Sequence, residues 1–246
     1  MTWKLWKTSG NPWNLDNPMS SNEGQKKNSA QLTRILSWMV TVLVPVALAL
    51  AAVRVVMTPA LLRFEYNQPN FPTDSYGFTI EDRLYWSQIA LDYLLNPADI
   101  SFLGDLRFED GTPVYNASEL RHMVDVKDTV RNAMNVWYLS LAVLLMLGIW
   151  ARRGSWWDEY RLGLARGGWL TVILIGSVIL FVLLSFGVLF VAFHNVFFEP
   201  GTWKFLFSDT LIRLFPQRFW QDLFLIVGGL SLVGGLALGI GLRRKA

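Results

Sequence analysis

Cysteine is absent from the 246 residues. That excludes disulfides, thiolate metal sites and any acyl-cysteine intermediate. Histidine is nearly absent: His122 and His194 are the two in the chain. No serine sits in a Gly-x-Ser-x-Gly elbow, and no glycine-rich phosphate loop occurs, so the usual serine-hydrolase and phosphate-binding motifs are missing. A zinc site built on both histidines would need two carboxylates to complete it, and nothing in the sequence calls for a metal or a cofactor. Long blocks of one charge are missing too. The net charge is +3, and the basic residues fall in short groups beside apolar runs. Such groups orient a chain in a bilayer and argue against nucleic-acid binding.

What the sequence has in abundance is apolar length. It is 52% hydrophobic, with a mean hydropathy of +0.32. Four runs, Ile35–Met57, Ala133–Trp150, Trp169–Phe193 and Leu223–Leu242, approach or exceed the span of about 20 residues that crosses a bilayer as a helix. The expected fold is an all-α membrane protein: a four-transmembrane-helix bundle over 34–246, preceded by a cytoplasmic N-terminal tail at 1–33 carrying Trp3, Trp6 and Trp13. Lysines and arginines cluster before the first run, between the second and third, and after the fourth. The positive-inside rule therefore places both termini in the cytoplasm. Between Thr58 and Val130 five Lys/Arg face twelve Asp/Glu, which suits a translocated segment. The chain reads as a multi-pass protein of the cell (plasma) membrane in contact with membrane lipid.

The segment 58–132 is too long to be a plain connection and predicts an extracytoplasmic cap between the first two spans. "FTIEDRLYWSQIALDYLLNP" reads as a helix. Thr79 and Asp82 form its capping box, Asn96-Pro97 stop it, and Trp86 and Tyr93 are placed at headgroup level. Leu106, Phe108, Val114 and Tyr115 around Asp110-Gly111 predict a small β-hairpin. Asn116 with Glu119 then begins a helix with no breaker before Trp150. In the last span Gly235 and Gly239 form a small-xxx-small pattern, read as packing within a monomer rather than dimerisation.

His122 lies about 16 Å before the apolar part of its helix at 1.5 Å per residue, and His194 closes the third span. Both therefore fall at the outer interface, where lipid esters lie, and imidazole is the usual proton-transfer group near neutral pH. Asp125 could orient His122, and Arg121 is spaced to pair with Asp125. Arg54, at the end of the first span, either snorkels outward or serves a site. The plain alternative is two interfacial histidines with unrelated hydrogen bonds.

The four spans, "LRHMVDVKDTV" entering the second, and "FHNVFFEPGTWKFLFSDTLIRLFPQRFWQD" between the third and fourth resemble the lipoprotein intramolecular transacylase family. The resemblance implies an acyltransferase acting on a diacylglyceryl-modified lipoprotein. The sn-2 acyl chain moves to the amine of the N-terminal cysteine, leaving an N-acyl lyso-form lipoprotein, and the two functional histidines correspond to His122 and His194. A cysteine-free enzyme suits this chemistry, because amine and ester belong to one substrate and the enzyme need supply no nucleophile. Two readings compete: a membrane lipid-ester hydrolase or acyltransferase using the same histidines on another lipid, and a non-enzymatic membrane binding subunit.

Overall fold

The computed structural model describes residues 18–242, with side chains from Lys27 onward. Its order is α1 (Pro18–Val56), α2 (Pro59–Tyr66), α3 (Ile80–Leu95), α4 (Ser101–Gly104), α5 (Ala117–Arg153), α6 (Trp157–Phe197), α7 (Thr210–Leu214) and α8 (Gln217–Gly241). Four of these, α1, α5, α6 and α8, are long and apolar enough to cross a membrane. Helix α1 starts inside the segment expected to be a tail; residues 1–17, with their three tryptophans, lie outside the described residues. The outward faces stay apolar, as at Leu184 and Val196, 75% and 76% exposed. Only lipid makes such faces favourable.

Small residues bring the long helices together. A methyl group added at Gly168 of α6 would lie 2.5 Å from the carbonyl oxygen of Gly235 and 2.7 Å from the amide nitrogen of Gly239, both on α8. The backbones therefore touch directly, the geometry small residues permit in a membrane, and the Gly235/Gly239 pattern is used within the chain. Gly163 and Gly167 do the same against α1, where a methyl would come within 2.6 Å of Ser37 O and of Val44 Cβ respectively. The Ser37 hydroxyl donates to Glu159 O (2.7 Å) and ties α1 to the start of α6.

The cap consists of α2, α3, α4 and α7. Thr58-Pro59 opens α2, with proline where its missing N–H costs nothing. Helix α3 has the expected capping box: Asp82 N donates to the Thr79 hydroxyl (3.1 Å) and Thr79 N to Asp82 Oδ2 (2.8 Å). Its buried stripe is Arg83, Ser87, Ala90 and Tyr93. Tyr93 therefore sits in the cap core under the Lys127 ammonium, 3.9 Å from the ring centre. The expected β-hairpin does not form among the described residues. The Asp110-Gly111 turn is present, with Gly111 at φ 83°, but pairing stops at one bridge between Arg107 and Pro113. The arms stop there because Leu106 N donates instead to Leu103 O (3.2 Å), closing the turn after α4, and Val114 O accepts from the Thr210 hydroxyl.

Candidate active site

Helix α5 begins as expected. The Asn116 side chain accepts from the amides of Ser118 and Glu119 (2.9 and 3.0 Å), and Glu119 Oε2 accepts from Asn116 N (2.8 Å). Glu119 is also fully buried, because its other oxygen accepts from Leu211 N on α7 (2.7 Å). Nearby, the Thr210 hydroxyl donates to Val114 O. One cap thus fastens the loop between α6 and α8 to the start of α5. His122, three residues beyond Glu119, turns inward on the same side and is buried.

The second histidine arrives from α6. Phe190, His194 and Phe198 recur every four residues and so share one face. His194 Nδ1 lies 2.8 Å from Phe190 O. A carbonyl only accepts, so Nδ1 carries the hydrogen and Nε2 keeps its lone pair. The two imidazoles stack with centres 6.2 Å apart and planes 21° from parallel. Phe198 touches both, at 4.8 Å from His122 and 5.5 Å from His194. Phe205 packs on His122 at 5.4 Å, and Phe190 and Trp203 on His194 at 4.0 and 4.7 Å. The Trp203 indole nitrogen and His122 Nδ1 are buried without a hydrogen-bond partner among the described residues.

A second polar layer lies in the cap. Asp74 accepts from Arg213 Nη2 (3.0 Å) and from Phe78 N (2.7 Å), with Arg83 Nη2 4.0 Å away. Burial pushes the Asp74 carboxyl up, but these donors outweigh it and hold it below the usual carboxylate range. The Tyr66 hydroxyl donates to Leu214 O (2.8 Å). Glu65 is fully buried with neither oxygen hydrogen-bonded among the described residues. Burial, with repulsion from Asp222 and against the pull of Arg218, lifts its carboxyl to about 7.

Of the residues singled out by sequence, the fold brings His122 and His194 together from helices 72 positions apart in number. It does not join the others to them. Arg121 is exposed, Asp125 half-buried and Arg54 half-buried, and none makes a hydrogen bond or ion pair among the described residues, so the expected Arg121–Asp125 pair is not formed. Sequence reasoning missed the aromatic shell, although the four-residue spacing of Phe190, His194 and Phe198 was there to read. It also missed Glu119, taken as a cap and nothing more. Among the described residues no group of three or more His, Asp or Glu side chains is arranged to hold a metal.

Several known proteins resemble this chain. A solved structure of the membrane-integral lipoprotein intramolecular transacylase of Bacillus cereus aligns with a TM-score of 0.69 at 22% identity, over 86% of this chain and 93% of that one. A histidine-to-alanine variant of it aligns at 0.65 and 22%, over 90% and 96%. At that identity the likeness speaks for the fold. An uncharacterized protein of Aquifex aeolicus (strain VF5) is 29% identical over 216 residues, 87% of this chain and 96% of that protein. The family profile described as lipoprotein intramolecular transacylase Lit matches residues 35–220, most of the chain and all of the segment that builds the histidine pair. The chain belongs to the lipoprotein intramolecular transacylase family.

Proposed function

We propose that this protein moves the sn-2 acyl chain of a diacylglyceryl-cysteine lipoprotein to its N-terminal amine, with His122 and His194 sharing the proton transfers at the outer leaflet and both termini in the cytoplasm. The observation that carries the reading is the stacked pair of buried imidazoles, 6.2 Å apart inside an aromatic shell. In this reading four spans over 34–246 carry the pair, and the segment 58–132 is the extracytoplasmic cap. Amine and ester arrive in one molecule, so folding the substrate's headgroup so that they meet supplies the main rate advantage.

The tautomer of His194 suits it to act as base. With Nδ1–H engaged by Phe190 O, Nε2 takes a proton from the attacking amine as the C–N bond forms. The tetrahedral oxyanion needs a donor in a water-poor site. His122 and the Trp203 indole N–H, buried and unpaired beside His194, supply candidates. When the C–O bond breaks, the proton held by His194 goes to the departing sn-2 oxygen, leaving a lyso glyceryl group and an amide.

Mass spectrometry of lipoproteins from a host lacking N-acylation tests this. The N-acyl lyso form should appear with the wild-type chain and vanish with His122→Ala or His194→Ala at matched membrane levels. Loss of an acyl chain without N-acylation would instead make the protein a lipid-ester hydrolase. No change at all would leave a binding subunit.

A further inference from the structure

The contact of α6 with α8 at Gly168, Gly235 and Gly239 is backbone on backbone. Beside it, toward the start of α6 and the end of α8, lies a groove of about 300 Å³. Arg161, Arg166 and Trp169 of α6 line it, with Gly239 and Leu242 at the end of α8, and Asp158 is its one acidic lining residue among those described. A methyl added at Gly239 would lie 3.0 Å from the Trp169 indole nitrogen, so the glycine lets this ring close onto α8. Arg161 and Arg166 are half-buried. Neither makes a hydrogen bond or an ion pair among the described residues, and no ion pair joins Asp158 to Arg161, three residues on. The Arg166 guanidinium lies over the Trp38 ring of α1, 5.1 Å from its centre. Such a stack engages the face of the guanidinium and leaves its in-plane N–H fork open. Arg166 stands three residues before Trp169, where the apolar run of α6 begins, which is about 5 Å along the axis. The groove is therefore at headgroup level, at the opposite end of α6 from His194.

We propose that this groove binds the headgroup of an anionic phospholipid, with Arg161 and the Arg166 fork on its phosphate and Leu242 against its glyceryl end. A cation partly withdrawn from water and left unpaired is costly. The anion that every phospholipid presents at this depth is phosphate, which arginine holds through two parallel N–H bonds. Basic grooves between membrane helices fit anionic headgroups for this reason. The charge is complementary: two arginines outweigh the single carboxylate of Asp158, and in sequence Arg243, Arg244 and Lys245 follow directly on Leu242. A choline headgroup brings its own cation, which the arginines repel, so the groove selects against zwitterionic lipid. Bound there, one lipid ties α6 to α8 at the end remote from the histidines. Its occupancy therefore shows as stability and not as proton transfer. The inference depends neither on the acyl-transfer reading nor on which leaflet this end faces.

The test is native mass spectrometry and thermal melting of the purified full chain in neutral detergent, with phosphatidylglycerol, phosphatidylcholine or inorganic phosphate added. The wild type should retain one phosphatidylglycerol, at least about fivefold tighter than phosphatidylcholine, and melt higher with it. A basic residue at an anionic headgroup is worth about fivefold (about 1 kcal/mol), so Arg161→Gln and Arg166→Gln should each weaken binding by about that factor and the double variant by about twenty-fivefold. Arg166→Lys keeps the charge and loses the fork, and should fall between. Arg153→Gln removes an exposed cation near the same end and outside the groove, and should change nothing. Equal retention of the two lipids by the wild type overturns the proposal whether or not the variants fold. So does a loss in Arg153→Gln as large as in the groove variants, which would mean diffuse attraction to the surface. Equal stabilisation by inorganic phosphate alone would make this a free-anion site and overturn the lipid.

Discussion

Replacing Glu119 with alanine separates the cap's support of the site from the site itself. The carboxylate accepts one hydrogen bond from Asn116 N (2.8 Å) and one from Leu211 N (2.7 Å), and the residue is 1% exposed. Removing it strands the buried Leu211 amide away from water, at about 1–3 kcal/mol, while the Asn116 amide, on an exposed residue, can turn to solvent. The loss is about 1–3 kcal/mol of the energy that holds α7 on α5. Since about 1.4 kcal/mol is a factor of ten, protection of the Leu211 amide against hydrogen exchange in nanodiscs should fall by roughly tenfold to hundredfold. Amides in the lipid-embedded turns of α6 and α8 should hardly change. Phe205 rests on His122 at 5.4 Å and belongs to the same loop, so acyl transfer should drop by about a hundredfold, the penalty typical of a reactive group displaced by an ångström. Glu119→Gln keeps one acceptor and should fall between. Unchanged exchange at Leu211 in the alanine variant would refute the clamp. Normal exchange with lost activity would mean that Glu119 touches the reaction directly.

Gly168→Val should destabilise the bundle by about 1–3 kcal/mol or more, because the new side chain meets backbone atoms of Gly235 and Gly239 that cannot rotate away; thermal unfolding in detergent reads this, and Gly176→Val, where a methyl meets nothing, is the control. Glu65 binds its proton more tightly folded (about 7) than at its ordinary 4.5. Its stabilising effect should thus be full below pH 4.5, decline across the window up to about 7 and be gone above it, by about 3 kcal/mol at 1.36 kcal/mol per pH unit. Glu65→Gln should flatten that slope in a melting series. Single cysteines placed in this cysteine-free chain should label with an impermeant reagent from outside at position 110 and not at position 155; the reverse pattern would invert the topology and put the histidines in the other leaflet.

The spans were legible because their signal is composition over length, which tertiary context barely alters. The ends of α5 and the capping box of α3 were legible for a related reason: a cap is chemistry within four residues. The hairpin failed on a constraint no local rule contains. Its turn was correctly marked by Asp110-Gly111, but Leu106 N is taken by Leu103 O at the end of α4 and Val114 O by the Thr210 hydroxyl of α7, so the ladder does not extend. The short helix α2 carried a readable start, Thr58-Pro59, that was passed over because eight residues give little periodicity to weigh.

The face of α3 shows why the site was harder to read. An apolar pattern puts leucines inward, yet the fully buried stripe is Arg83, Ser87, Ala90 and Tyr93, while Leu84 and Leu91 are partly buried and Leu95 is 44% exposed. In a protein whose outside is lipid and whose cap encloses polar work, apolarity no longer distinguishes inside from outside. The same inversion hid Glu65, Glu119 and Tyr115, which a hydrophobic pattern assigns to surface or turn and the fold seals within the cap. Histidine escaped the ambiguity only by scarcity: with two in the chain, their convergence in the fold had one possible pairing. Arg121 and Asp125 had no such scarcity: Arg121 is exposed, and Asp125, half-buried, makes no hydrogen bond or ion pair among the described residues. Position along the chain therefore identified the two histidines that converge, while the contacts that hold them there had to come from the packing.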